Sequence, residues 1–239
     1  MDKPFLPDLS EHGRAKDGTP LTSNRRLYVQ FLAWTGASSL EPLATALASW
    51  AHPAALYADL NDPRGLGLAL MSENPDFFVT EARAFLARSP FDQLTFKPEL
   101  AMLGRSYAVG YENDLDEVLL KRPKSRILDP AHPWAIWYPV RREKAFEALP
   151  EDQKHEVLMD HGGIGKAFGK AGIAQDIRLA CHGLDIHDND FVIGIVAKEL
   201  IGASAVVQAM RKSLQTMHHL DSLGPFFAGK VYRQFGSVD

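Results

Sequence analysis

The chain has 239 residues, 46% of them hydrophobic and 23% charged, with a formal net charge of −4 at pH 7. That balance suits a globular protein holding one large domain or two small ones. Interspersed charge signs leave no basic footprint for nucleic acid, and no apolar run approaches the roughly 20 residues of a membrane span. Cys181 stands alone, which excludes an intrachain disulfide; with no apolar secretory core near Met1, a cytoplasmic location is the expectation.

Residues 1–23 are polar and rich in glycine and proline, and they predict a poorly packed arm. Alternation over 25–34, ending at Gly36, predicts a strand. The spacing of Leu40, Leu43, Leu47 and Trp50 predicts a helix over 39–50, stopped by His52-Pro53. Strands over 55–60 and 66–71 flank the turn Asn61-Asp62-Pro63-Arg64-Gly65. A second helix over 76–88 carries Phe77, Phe78, Phe85 and Leu86, and a strand over 99–109 completes the set. A connecting segment, 112–133, holds Lys121-Arg122-Pro123-Lys124, with Asp129, Pro130 and Pro133 as further breaks.

From 134 the order repeats. Strand 134–140 and helix 151–168 lead to strands 173–181 and 191–197, then to helix 204–218 and strand 226–232. Each half, 24–111 and 134–239, reads β-α-β-β-α-β, the ferredoxin-like order. The expected fold class is therefore α+β, with tandem ferredoxin-like repeats whose antiparallel sheets form a barrel with helices outside.

Within the predicted helix 151–168, Val157, His161, Ile164 and Phe168 fall at i, i+4, i+7 and i+11, so one imidazole interrupts an apolar stripe. Gly162, Gly163 and Gly165 crowd the same region, although each costs a helix about 1 kcal/mol relative to Ala. Two readings stand at this point. One is a core histidine hydrogen-bonded to a carbonyl, with the glycines marking a frayed helix end. The other is a porphyrin lying flat against the helix, its iron bound by the imidazole.

Four stretches follow one another at compatible spacing: Trp137-Tyr138-Pro139-Val140-Arg141-Arg142, Met159-Asp160-His161-Gly162-Gly163-Ile164-Gly165, His182-Gly183-Leu184-Asp185 and Leu223-Gly224-Pro225-Phe226-Phe227. Together they resemble the chlorite dismutase and coproheme decarboxylase family of haem proteins, over nearly all of 25–232. The resemblance implies a dimeric α+β barrel assembled as a homopentamer. It also implies a haem in the second half, with His161 as proximal iron ligand and Ile164 beside it. The other imidazole nitrogen would then donate a hydrogen bond to the last helix. Chlorite-degrading members place a glutamate there. Gln215 falls at or near that position, either as a neutral amide that pushes less electron density onto iron or as a polar residue of a solvated face.

In coproheme decarboxylases the Tyr-Pro motif supplies a tyrosine oxidised to a radical that attacks a propionate. Tyr138 is therefore implied as redox-active, the alternative being a strand aromatic satisfied locally. Arg142 falls where those enzymes carry a propionate-binding lysine, and arginine holds a carboxylate bidentately. For the distal residue, counting from His161 points to Ala174 and counting back from Gly183 points to Asp176, while Arg178 shares their face. Arg178 is either a distal cation stabilising an anionic species or half of an ion pair with Asp176. His182 and His187 read as loop residues, with a metal pair as the alternative.

The implied activity is that of a haem-dependent oxidoreductase, first of all peroxide-driven decarboxylation of coproheme to haem b. One rival is a haem b enzyme acting on chlorite, peroxide or another small oxidant with Arg178 on the distal side. The other is a protein that binds or transfers haem without turnover.

Overall fold

The computed structural model describes residues 6–50 and 52–237. An N-terminal hairpin pairs β1 (Glu11–Arg14) with β2 (Pro20–Ser23). The chain continues through β3 (Tyr28–Thr35), α1 (Glu41–Trp50), β4 (Ala54–Asp59), β5 (Leu66–Ser72), α2 (Asp76–Val79), α3 (Glu81–Leu86), β6 (Thr95–Phe96) and β7 (Met102–Arg105). A π-helical turn at Glu117–Lys121 then runs into α4 (Arg122–Ile127). After it come β8 (Trp134–Arg142), α5 (Lys144–Glu147), α6 (Glu151–Lys170), β9 (Ala174–Ala180) and β10 (Phe191–Ala197). The last elements are α7 (Leu200–Met210), α8 (Leu214–His218), β11 (Leu220–Leu223) and β12 (Phe227–Phe235).

All strand pairs are antiparallel. The first half has the order β7-β3-β5-β4 and the second β9-β10-β8-β12. Numbered in chain order within each half, the long strands of both read 4-1-3-2. The halves meet at two seams, β4 on β12 and the single pair Arg105↔Ala180 between β7 and β9. Of the ten strands in the sheet, the short β6 and β11 hang from its edges, and the other eight close a ring.

Alternation along the strands divides the core in two. In β5, Ala69 and Met71 face the barrel interior while Leu66, Leu68 and Leu70 pack under the helices of the first half, so the strand is buried on both faces. Phe31, Tyr57, Trp137 and Phe227 fill the interior, none more than 1% exposed. Phe31 stacks on Trp137 with ring centroids 5.3 Å apart. Gly194 of β10 lies opposite Trp137, and a Cβ there would sit 2.8 Å from the indole. Only glycine lets the ring lie flat on the sheet.

Four segments depart from expectation. The helix over 76–88 is broken at Thr80 (φ −112°, ψ −87°), whose hydroxyl donates to the Asp76 carbonyl at 2.7 Å. The helix over 204–218 starts earlier, at Leu200, and breaks after Met210, where Ser213 caps a separate α8. Its apolar period runs through the break, so periodicity alone could not show it. The connecting segment is partly helical. The arm, expected to pack poorly, is pinned by Glu11, a carboxylate only 8% exposed. Glu11 accepts from Arg26 (3.0 Å), Arg105 (3.1 Å) and the Ala108 amide (2.8 Å).

Gly194→Ala should therefore overpack the interior beside Trp137 and lower the unfolding free energy by about 1–3 kcal/mol. Urea denaturation of the ligand-free protein measures this; an unshifted midpoint would mean that the indole moves aside freely.

Candidate functional site

β8 carries Trp137 into the barrel and turns Ile136, Tyr138 and Val140 outward, beneath α6 and α7. Register aligns Tyr138, Ile193 and Arg178 as one row across β8, β10 and β9. Arg142, four residues beyond Tyr138, ends the same face of β8. Opposite lies α6, continuous through Gly162, Gly163 and Gly165, so the glycines do not mark a frayed end. The predicted stripe packs as expected: Val157 is buried, and Ile164 and Phe168 join the cluster of Tyr138, Ile195 and Val206. A Cβ at Gly165 would lie 3.7 Å from Asp176 Oδ2, which places α6 over β9; at Gly162 or Gly163 it would meet no protein atom within 4 Å.

His161 sits in that stripe, half-buried. Its Nδ1 lies 3.2 Å from Ser213 Oγ. Burial, reinforced by the charges of Arg178 and Arg142, pushes its pKa down to about 4. The ring is therefore neutral at physiological pH. Gln215, the expected partner of the imidazole, instead accepts from Arg142 Nη2 at 3.3 Å. The α8 cap accounts for the difference: it aims Ser213 at α6, whereas Gln215 lies farther round the helix and faces the end of β8.

The Arg142 guanidinium lies between the Phe146 and Phe191 rings, 4.6 Å from each centroid. Its Nε is buried and has no hydrogen-bond partner among the described residues. The Arg142 backbone N–H donates to Asp190 at 2.7 Å, which fixes the end of β8. Arg178, half-exposed, pairs with Asp176 at 3.0 Å. Asp176 is also held by Arg126 of α4, through its carbonyl and, at 3.3 Å, its carboxylate. Tyr107 lies against Phe191 with centroids 5.9 Å apart, and burial raises its pKa. Tyr138 is buried, stacks on Phe226 at 4.6 Å, and has its pKa raised by the same cause.

Ala174 faces the same helices but is buried at 1% exposure, with no polar atom to offer. His182 pairs with Asp190 at 3.3 Å, and His187 is exposed. Among the described residues no group of three or more His, Cys, Asp or Glu side chains is arranged to hold a metal ion. The Cys181 thiol is pushed up to about 12 by burial and by Asp185, so it is inert. Arg126, Tyr107 and Ser213 escaped the sequence reading. Arg126 follows the basic run at 121–124, but nothing in that run tells which cation turns inward.

An imidazole that stays neutral when folded, to about pH 4, but protonates near pH 6.5 when unfolded leaves the unfolded state with more bound protons in between. Its contribution to stability is complete above about pH 6.5 and is lost as pH falls towards 4. Urea midpoints of the ligand-free protein should fall more steeply between pH 7 and pH 5 for the native chain than for His161→Gln. Parallel slopes would contradict the buried, neutral imidazole.

The chlorite dismutase family model matches residues 79–232, well over half of the chain. Chlorite dismutase from Candidatus Nitrospira defluvii, solved in complex with imidazole, has a similar structure, with a TM-score of 0.67 at 15% identity over 88% of this chain and 93% of that one. A second structure, TA0507, described only provisionally as a chlorite dismutase, gives 0.66 at 12% identity over 87% and 95%. No curated protein sequence matches the chain. No helix among the described residues is long and apolar enough to cross a membrane. The structural likenesses carry the fold, and the sequence match over most of the second half carries descent: the chain belongs to the chlorite dismutase family, whose members are haem-dependent oxidoreductases.

Proposed function

We propose that this protein uses peroxide to decarboxylate coproheme to haem b, with His161 as the iron ligand, Tyr138 as the oxidised side chain and Arg142 as the anchor of a propionate. The observation that carries the reading is the half-buried His161 imidazole, whose protonation burial and the charges of Arg178 and Arg142 oppose, with a third arginine, Arg126, sharing Asp176 with Arg178. A neutral imidazole keeps a lone pair for a metal, and surplus positive charge suits a ligand that carries several carboxylates.

The residues fit an iron tetrapyrrole in two further ways. Arg142 has a buried Nε without a partner among the described residues, and a propionate would supply one. Gly162, next to His161 and half-buried, would meet no protein atom with a Cβ, which leaves that flank of the helix open to a flat ligand, whereas Gly163 is exposed on the far side of α6. When bound, the iron supplies the two-electron reduction of peroxide.

The protein's own groups do the rest. Arg142, stiffened between two rings, holds a carboxylate in one orientation. Tyr138 is a phenol whose pKa burial has raised, so it gives up an electron only together with its proton. For each propionate the balance is R–CH2–CH2–COO⁻ + H2O2 → R–CH=CH2 + CO2 + H2O + OH⁻. Arg178, half-exposed and braced by Asp176, offers a cation that a small anionic oxidant could meet. That placement favours a second reading, a haem b enzyme acting on chlorite or another small oxidant. Assembly as a homopentamer and action in the cytoplasm belong to both readings.

Coproheme with hydrogen peroxide should yield products lighter by successive losses of CO2 and two hydrogens, read by mass. Tyr138→Phe should bind coproheme and yield none. Arg142→Leu should weaken coproheme binding by about 1.5–3 kcal/mol, the worth of a charge-assisted hydrogen bond. An unchanged porphyrin would refute decarboxylation, and oxygen release from chlorite that disappears in Arg178→Ala would install the second reading.

A further inference from the structure

Two consecutive residues of α6 are latched to two consecutive residues at the start of α8. Asp160 Oδ2 accepts from the Leu214 amide at 2.8 Å, and His161 Nδ1 lies 3.2 Å from Ser213 Oγ. Ser213 is 1% exposed. Its Oγ lies 2.8 Å from the Met210 carbonyl and accepts from the Thr216 amide at 3.4 Å, capping α8. A hydroxyl has one proton to give. The Met210 carbonyl takes it; Thr216 Oγ1, at 3.2 Å, is the more distant claimant. With its proton on the Met210 carbonyl, the nearest of its acceptors, Oγ is left to accept from the imidazole, whose Nδ1 at 3.2 Å is no nearer than Thr216 Oγ1. That arrangement puts the hydrogen on Nδ1 and leaves the lone pair on Nε2.

We infer that Ser213 is the positioning residue of the iron ligand: it selects the Nδ1–H tautomer of His161 and fixes the ring so that Nε2 faces the sheet. The inference rests on the reading of His161 as ligand. The Asp160–Leu214 bond holds α6 and α8 together, which keeps Ser213 opposite the imidazole. A hydroxyl orients the ring without adding negative charge. Ser213 thus supplies the direction that a carboxylate partner would supply, but not its push of electron density. Gln215 does a separate job on the same short helix by holding Arg142. α8 in this way ties the position of the iron ligand to that of the carboxylate anchor.

Histidine-selective 15N spectra of the haem-free protein test the first half of the inference. The native chain should show His161 protonated at Nδ1, Ser213→Ala should shift it toward the Nε2–H tautomer, and Ser213→Thr should restore it. With haem bound, Ser213→Ala should weaken affinity about 10- to 100-fold and lower the ferrous iron–histidine stretching frequency. Ser213→Asp, which keeps the helix cap, should raise that frequency and lower the reduction potential. A native tautomer in Ser213→Ala overturns the proposal, as does a native stretching frequency in Ser213→Asp, the result for a cap and nothing more. The haem-free spectra do not depend on iron ligation, so an unchanged Soret band in His161→Ala would refute the ligand reading alone.

Discussion

Closure of the barrel governs everything at the site, because it leaves each strand one inner and one outer face. Trp137 fills the interior against Phe31, and Gly194 gives it room. The next side chain along an extended strand must then point out, and so must Arg142 four residues later. A slip of one residue in β8 would turn Tyr138 and Arg142 toward the interior aromatics and Trp137 out beneath the helices. The core thus sets the register, and the register sets the chemistry that faces α6.

The outer face is electrostatically lopsided by construction. Arg126 arrives from the connecting segment, Arg142 from the end of β8 and Arg178 from β9, and Asp176 is shared between two of them. Cations beside a half-buried imidazole oppose its protonation, as does the loss of water. The same charges therefore keep His161 neutral, with a lone pair free on one ring nitrogen. Each guanidinium is also braced: Arg142 by two rings and Gln215, Arg178 by Asp176, Arg126 by the carbonyl and carboxylate of Asp176. Bracing limits the ordering entropy that a ligand must overcome on binding.

Much of this was legible in the residues. The duplicated element order is carried by local signals, which are alternation for strands, three-to-four spacing for helices, and proline and glycine at their ends. The observed 4-1-3-2 order in both halves agrees with it. His161 was visible because a lone imidazole breaks an apolar stripe, Asp176 by counting back from Gly183, and Arg178 because strand alternation puts it on the same face. Local signals misled where two effects competed. The apolar period of the last long helix ran on past a cap at Ser213, and the polar composition of the arm concealed the buried carboxylate of Glu11.

The amino-acid order by itself determined the elements, their repetition and the family, since these depend on contacts a few residues apart and on motifs read in line. Tertiary structure alone decided that Ser213, fifty-two residues from His161, takes its Nδ1 contact, that Gln215 turns to Arg142, and that Arg126 enters the site. Those partnerships join side chains on different elements. Their geometry is set by how helices and strands pack, a long-range property that no spacing along the chain encodes.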